Sequence, residues 1–265
     1  MNEEDQFDHT SLVPLQGDWL KAIAEEIQPK LEAIIQALAP HLTAMAQYYW
    51  DGFSQRLAAL PQNSKQAMSL ALKKGWFFGW YDGLQSLMEL IERVGNTPEF
   101  RIDEIMAAYY RANLRPFADE LTQAYPQRAK IIAAALDAHS SGDESGYLLS
   151  IPVFIAQADG LLEEATGVEF AMRDAAKVLQ EKYASNGEIL DLLSPIFGLK
   201  NSEFMMTSKV RRNQVQASGS AFTALNRHQV MHGQSSDYGT EINSLKAFSF
   251  LAFAGLHIPA VLRND

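Results

Sequence analysis

A chain of 265 residues, 47% hydrophobic and 20% charged, can bury a core of its own, which excludes a disordered polypeptide. The absence of cysteine excludes disulfides and thiolate metal sites and fits a reducing compartment. A net charge of −10 gives the molecule as a whole no attraction for nucleic acid, so any such function has to rest on a local patch.

The opening Met1-Asn2-Glu3-Glu4-Asp5 is acidic, whereas a secretory leader needs a basic start and then an apolar run. A polar lead of about fifteen residues gives way to a helix at Asp18, a good N-cap. Leu20, Ile23, Ile27, Leu31, Ile34, Ile35 and Leu38 follow at helical spacing, and Pro29 predicts a kink or a division. Further helices are predicted over 41–60, ending at Pro61, then over 64–74, 77–94 and 102–124, the last with a bend at Pro116. Tyr125-Pro126 reads as a boundary, because the residue before proline is biased away from helical geometry. The expected division is a helical N-terminal region over 1–125 and a second helical bundle over 126–265.

In that second half, helices are predicted over 127–139, 147–165, 168–183 and 188–197. Residues 198–213 read as irregular and polar, and a helix follows over 214–231. After a loop, Thr240 is a plausible N-cap for a last helix over 241–256. Its apolar residues lie on nearly every side, which predicts a central position with Ile151, Phe154 and Ile155 as neighbours. The apolar stretches 148–162 and 247–260 are interrupted by Gln157, Asp159 and His257, and read as too short for a bilayer. The fold class expected is all-α, in a cytoplasmic protein with no membrane partner.

The chemistry concentrates in Asn226-Arg227-His228-Gln229-Val230-Met231-His232-Gly233. His228 and His232, four apart, share a helix face. Arg227 and His232, five apart, converge best if His232 lies where the helix unwinds, and Gly233 marks such an end. Between residues 200 and 232, Lys200, Lys209, Arg211, Arg212 and Arg227 face one carboxylate, Glu203, for a local charge of +4. Lys209-Val210-Arg211-Arg212 is placed to follow a phosphate backbone.

An arginine, a polar residue, three variable residues and a histidine at a helix end resemble the signature of the HEPN superfamily. The flanking Asp237-Tyr238-Gly239-Thr240, Asn243-Ser244-Leu245-Lys246-Ala247 and the upstream 149–160 resemble a group of bacterial HEPN-like proteins. The resemblance covers roughly 127–262 and leaves 1–125 aside. It implies a homodimeric, metal-independent endoribonuclease without a cofactor, of the toxin or antiphage type, held in check by an antitoxin or another regulatory protein. RNA supplies its own nucleophile, the ribose 2′-OH. His232 is then the acid or base, Arg227 the phosphate clamp and His228 a helper. Lys209, Arg211, Arg212, Asn226, Asn243 and Lys246 are the candidate RNA contacts.

Other readings stay open on the same residues. Arg227 can pair with a carboxylate such as Asp159 or Asp237. The site can bind RNA, a nucleotide or a protein without cutting. His228 and His232 match part of a His-Glu-x-x-His zinc arrangement, but Gln229 follows the first histidine, and a third ligand would have to be Asp237 or Asp159. The aromatic run Trp76-Phe77-Phe78-Gly79-Trp80-Tyr81 reads as core or as a docking face.

Overall fold

The computed structural model describes residues 18–168, 175–193, 197, 202, 204–218 and 225–262. All the regular elements among them are helical, as the composition and periodicity predict. The polar lead, Lys200, Glu203 and the first part of the helix expected over 168–183 lie outside the described residues. The chain divides into two units, residues 1–58 and 59–265. The division therefore does not fall at Tyr125-Pro126: residues 59–125 belong to the same unit as 126–265.

Helix α1 (Asp18–Lys73) is 56 residues long and runs through Pro29, Pro40 and Pro61, where a kink or division at Pro29, a new helix from 41 and an end at Pro61 were expected. A proline in a helix removes one N–H and one hydrogen bond. Pro29 and Pro61 are exposed, so water can take up the carbonyl that each leaves unpaired. In the same way α3 (Ile102–Ala124) contains Pro116 and α5 (Glu144–Thr166) contains Pro152. Between them lies α4 (Ala129–Ser140), and α2 (Leu84–Gly95) precedes α3. The later elements are α6 (Ala175–Lys182), α7 (Gly187–Leu192), α8 (Ser208–Ser218), α9 (Arg227–Met231) and α10 (Glu241–Ala252). A π-helical segment (Phe253–His257) joins α10 to α11 (Ile258–Leu262).

The centre of the second unit is α10. Thr240 caps it as expected, its hydroxyl accepting from the Asn243 N–H at 3.2 Å. Phe248, Phe250 and Leu251 are fully buried and Phe253 nearly so. The main partner is α5, whose Ile151, Phe154 and Ile155 are also fully buried, and the Phe154 and Phe248 rings meet edge-on at 5.4 Å. α3 packs on another side of α10, and α4 packs against α5 and α3. The helices α5 and 241–262 are 23 and 22 residues long, with mean hydropathies of 1.2 and 1.6, so both are long and apolar enough for a membrane, contrary to the sequence reading. Both supply the core of the second unit, and a buried core helix of a soluble protein has the same length and composition.

A helix buried all round must pair its own polar side chains. Ser244 does so by linking two neighbours: its hydroxyl lies 2.7 Å from His139 Nδ1 on α4 and 2.8 Å from the Ser150 hydroxyl on α5. Ser150 in turn donates to the Tyr147 carbonyl at 3.3 Å. That direction makes Ser244 the donor to Ser150, and His139 the donor to Ser244 from its Nδ1–H.

Residues 75–83 form a loop, where a helix was expected to start at Phe77, and it drives an aromatic wedge into the core. Trp76, Phe77 and Phe78 are 0%, 3% and 1% exposed. Buried non-helical backbone needs partners, and three side chains supply them. The Phe77 N–H donates to Ser249 Oγ at 3.1 Å, and the Phe77 carbonyl accepts from the Tyr110 hydroxyl at 2.5 Å. The Trp80 N–H donates to His257 Nδ1 at 3.1 Å. His257 sits at the end of the π-helical segment, and its ring lies so close to Gly79 that a Cβ there would fall 2.4 Å from the imidazole.

Two outcomes follow from this packing. Phe248→Ala should lower unfolding free energy by about 3–5 kcal/mol in chemical denaturation; a loss within the noise would mean that α10 is not the core. Burial lowers the His139 pKa, with Glu241 opposing it. The unfolded chain therefore takes up this proton first as pH falls below about 6.5. Stability should be full above that pH and decline on acidification, and His139→Gln should flatten that part of the stability–pH curve.

Candidate functional site

The motif helix begins at Arg227, later than the expected 214–231. The described part of that stretch is the end of α8 and the single turn and a half of α9. Asn226 is the N-cap, with its Oδ1 accepting from the Gln229 N–H at 3.0 Å. Its Nδ2 donates to the Met206 carbonyl at 2.9 Å, and the Arg227 N–H donates to the Phe204 carbonyl at 2.8 Å. Phe204 packs between Phe77 and Phe250, at 5.2 and 5.1 Å. The start of α9 is thereby tied to the central core. At its other end His232 is the C-cap, and Gly233 takes φ +62°, the left-handed conformation that ends a helix and favours glycine. This is the unwinding expected for His232.

Arg227 points inward, at 8% exposure, and meets Asp159 on α5. Its Nε lies 2.9 and 2.8 Å from the two carboxylate oxygens, and its Nη2 lies 2.6 Å from Oδ2. Of the two carboxylates weighed from the sequence, Asp159 is the partner, while Asp237 accepts from the Ser235 hydroxyl. A guanidinium has five N–H donors, and Nη1 makes no hydrogen bond among the described residues. Asp159 thus fixes the plane of the guanidinium and offsets much of its charge, leaving one edge for a further acceptor.

The two imidazoles lie on the outer side. His228 is half-buried and His232 exposed, with their rings nearly parallel at 8° and their centroids 6.1 Å apart. Neither ring hydrogen-bonds to a described residue. Burial lowers the His228 pKa, and the positive charge of Arg227 and the neighbouring His232 lower it further, against a smaller opposing effect of Asp159. His228 is therefore a neutral imidazole at pH 7, able to accept a proton. Among the described residues no three His, Asp or Glu side chains gather as a metal-binding group, so the zinc reading finds no third ligand there.

The expected RNA contacts separate into two sets. Lys209 and Arg212 are exposed on α8, which is helical where an irregular segment was predicted. Arg211 on the same helix is 3% exposed and points into the protein. Asn226, Asn243 and Lys246 are buried for structural reasons. Asn226 caps α9, and Asn243 Nδ2 holds the Tyr238 carbonyl at 3.0 Å. The Lys246 ammonium lies 2.9 Å from Asp103 and 5.5 Å from the Trp76 ring centre, so it serves the core's edge and does not face a polyanion. Sequence reasoning did not find Phe204 and Met206, whose backbone carbonyls anchor the motif; nothing local in the sequence marks them. A groove of about 690 Å³ lies apart from the motif, between α4 and α5, lined by Arg128, Ile131, Ala134, Gln157 and Glu164 among others.

Asp159→Ala strands the Arg227 charge and should destabilise by about 2–3 kcal/mol, less than a fully buried pair because the Asp159 side chain keeps 20% of its exposure. It also removes the group that opposes the lowering, so the His228 midpoint, followed by NMR, should drop below its wild-type value. An unchanged midpoint together with unchanged stability would show the pair to be idle. In comparisons with known proteins, no family model, no curated protein and no solved structure matches this chain.

Proposed function

We propose that this chain is a metal-independent endoribonuclease of the HEPN type, with His228 and His232 as its acid–base pair. The observation that supports the reading is the parallel pair of imidazoles, one half-buried and one exposed, beside a guanidinium held in place by Asp159. Rings about 6 Å apart can each hydrogen-bond a different oxygen of one phosphodiester. In this mechanism neutral His228 takes the proton of the ribose 2′-OH, and that oxygen attacks phosphorus. The P–O5′ bond breaks, and the 5′-oxygen leaves with a proton from the imidazolium of His232. The free edge of Arg227 hydrogen-bonds a non-bridging oxygen as charge develops there. The products are a 2′,3′-cyclic phosphate and a 5′-hydroxyl. The exposed Lys209 and Arg212 guide the RNA backbone. The same reading carries a homodimer, a cytoplasmic setting and a regulatory partner; the mechanism draws both imidazoles from one chain.

One observation favours a second reading. The Asp159 carboxylate offsets the Arg227 charge, and a neutralised guanidinium suits a module that binds RNA without cutting it.

The test is incubation of purified protein with total RNA. Cleavage is expected with and without EDTA, DNA is left intact, and His232→Ala and His228→Ala each lower the rate by about 10²–10⁴-fold with folding retained. RNA bound but uncut would assign the second reading. Cleavage abolished by EDTA and restored by zinc would return the histidine pair to metal chemistry.

A further inference from the structure

The first unit carries an apolar stripe that the proposed function does not use. Within α1, large apolar residues recur at a spacing of eleven. Ile27, Leu38 and Tyr49 form one row. Leu20, Leu31, Leu42 and Phe53 form a second, and Ile23, Ile34 and Met45 a third. Eleven residues over three turns is 3.67 per turn, close to the natural pitch of an α-helix, so the three rows stay on one side of the helix along its length. The described side chains of this side are open: Leu38 is 49% exposed, Phe53 37% and Leu57 42%. Trp50, at 68%, flanks them with its ring 6.0 Å from that of Phe53.

We propose that this stripe is an interface between two copies of the chain, formed by pairing of their α1 helices. A hydrophobic period kept over three repeats is what lets two helices remain in contact along their length, and a second α1 presents the complementary rows by identity. From Leu20 to Leu57 the stripe is about 55 Å long and one helix, about 10 Å, wide. Two facing strips of that size bury roughly 1,000 Å² together, the scale at which a specific interface is distinguished from a chance contact. A membrane surface is the other natural cover for an amphipathic helix, but such helices rely on lysine and arginine along the polar face. Between Glu32 and Asp51 this helix has no lysine, arginine or carboxylate at all. The pairing is independent of the motif at 227–232.

The experiment uses the full chain. Sedimentation should give a dimer at micromolar concentration for the wild type and equally for His232→Ala. Leu38→Lys with Phe53→Lys should give a monomer whose thermal unfolding of the second unit is unchanged. The milder Leu38→Ala with Phe53→Ala should stay folded and weaken the dimer by about tenfold or more. A monomeric wild type, or a dimer indifferent to both double variants, overturns the proposal. Flotation of the wild type with phosphatidylserine vesicles, lost in the lysine variant, assigns the stripe to lipid and overturns it as well. RNA cleavage by the monomeric variant leaves the catalytic reading standing whatever becomes of this one.

Discussion

The second unit depends on one constraint: a helix buried on every side cannot leave its polar groups unpaired. α10 carries Asn243, Ser244, Lys246 and Ser249 into the core, and each is 5% exposed or less. Unpaired, each such group would cost about 1–3 kcal/mol or more. Paired, they specify what surrounds the helix. Ser244 selects His139 and Ser150, which fixes α4 and α5 against it. Ser249 takes the Phe77 N–H and holds the aromatic loop, and Lys246 reaches Asp103 at the start of α3. The apolar surface supplies most of the energy, while these few hydrogen bonds choose the arrangement.

The candidate site is an outgrowth of the same core. Phe204 lies among the aromatic rings around α10, and its carbonyl receives the first N–H of the motif helix. α5, which packs along α10, offers Asp159 to Arg227. A helix of five residues has no stability of its own, since nucleation costs more than one turn returns. It persists because a cap, a backbone anchor and an ion pair hold it from three directions. The rigid side of the motif is therefore Arg227, and the solvent side is His228 and His232. That division of labour suits proton transfer by the imidazoles better than it suits Arg227 as a freely moving clamp.

Much of this was legible locally. The α3 boundaries, the Thr240 cap, the centrality of α10 and the unwinding at Gly233 are set by spacing and by residues within one turn of where they act. The misreadings share a different cause. The aromatic run at 76–81 looks helical in isolation, but its backbone partners Ser249 and His257 are 172 and 177 residues away. Lys246 looked like an RNA contact because nothing near it in sequence reveals Asp103. Pro61 looked like a helix end and Pro29 like a kink or a division, but an exposed ring in a long helix costs one hydrogen bond and the neighbouring turns carry on. The Arg227–Asp159 pair lay between: both residues were visible as candidates, and only the fold could choose Asp159 over Asp237.

The central claim is that two neighbouring imidazoles direct the 2′-OH of RNA at its own phosphodiester. Its most direct measurement is the chemistry of the cut ends, read by mass spectrometry or ³¹P NMR on a short defined RNA. The account predicts a 2′,3′-cyclic phosphate facing a 5′-hydroxyl, formed in EDTA. Ends bearing a 3′-hydroxyl and a 5′-phosphate would contradict it, because they require water and not the ribose as the nucleophile.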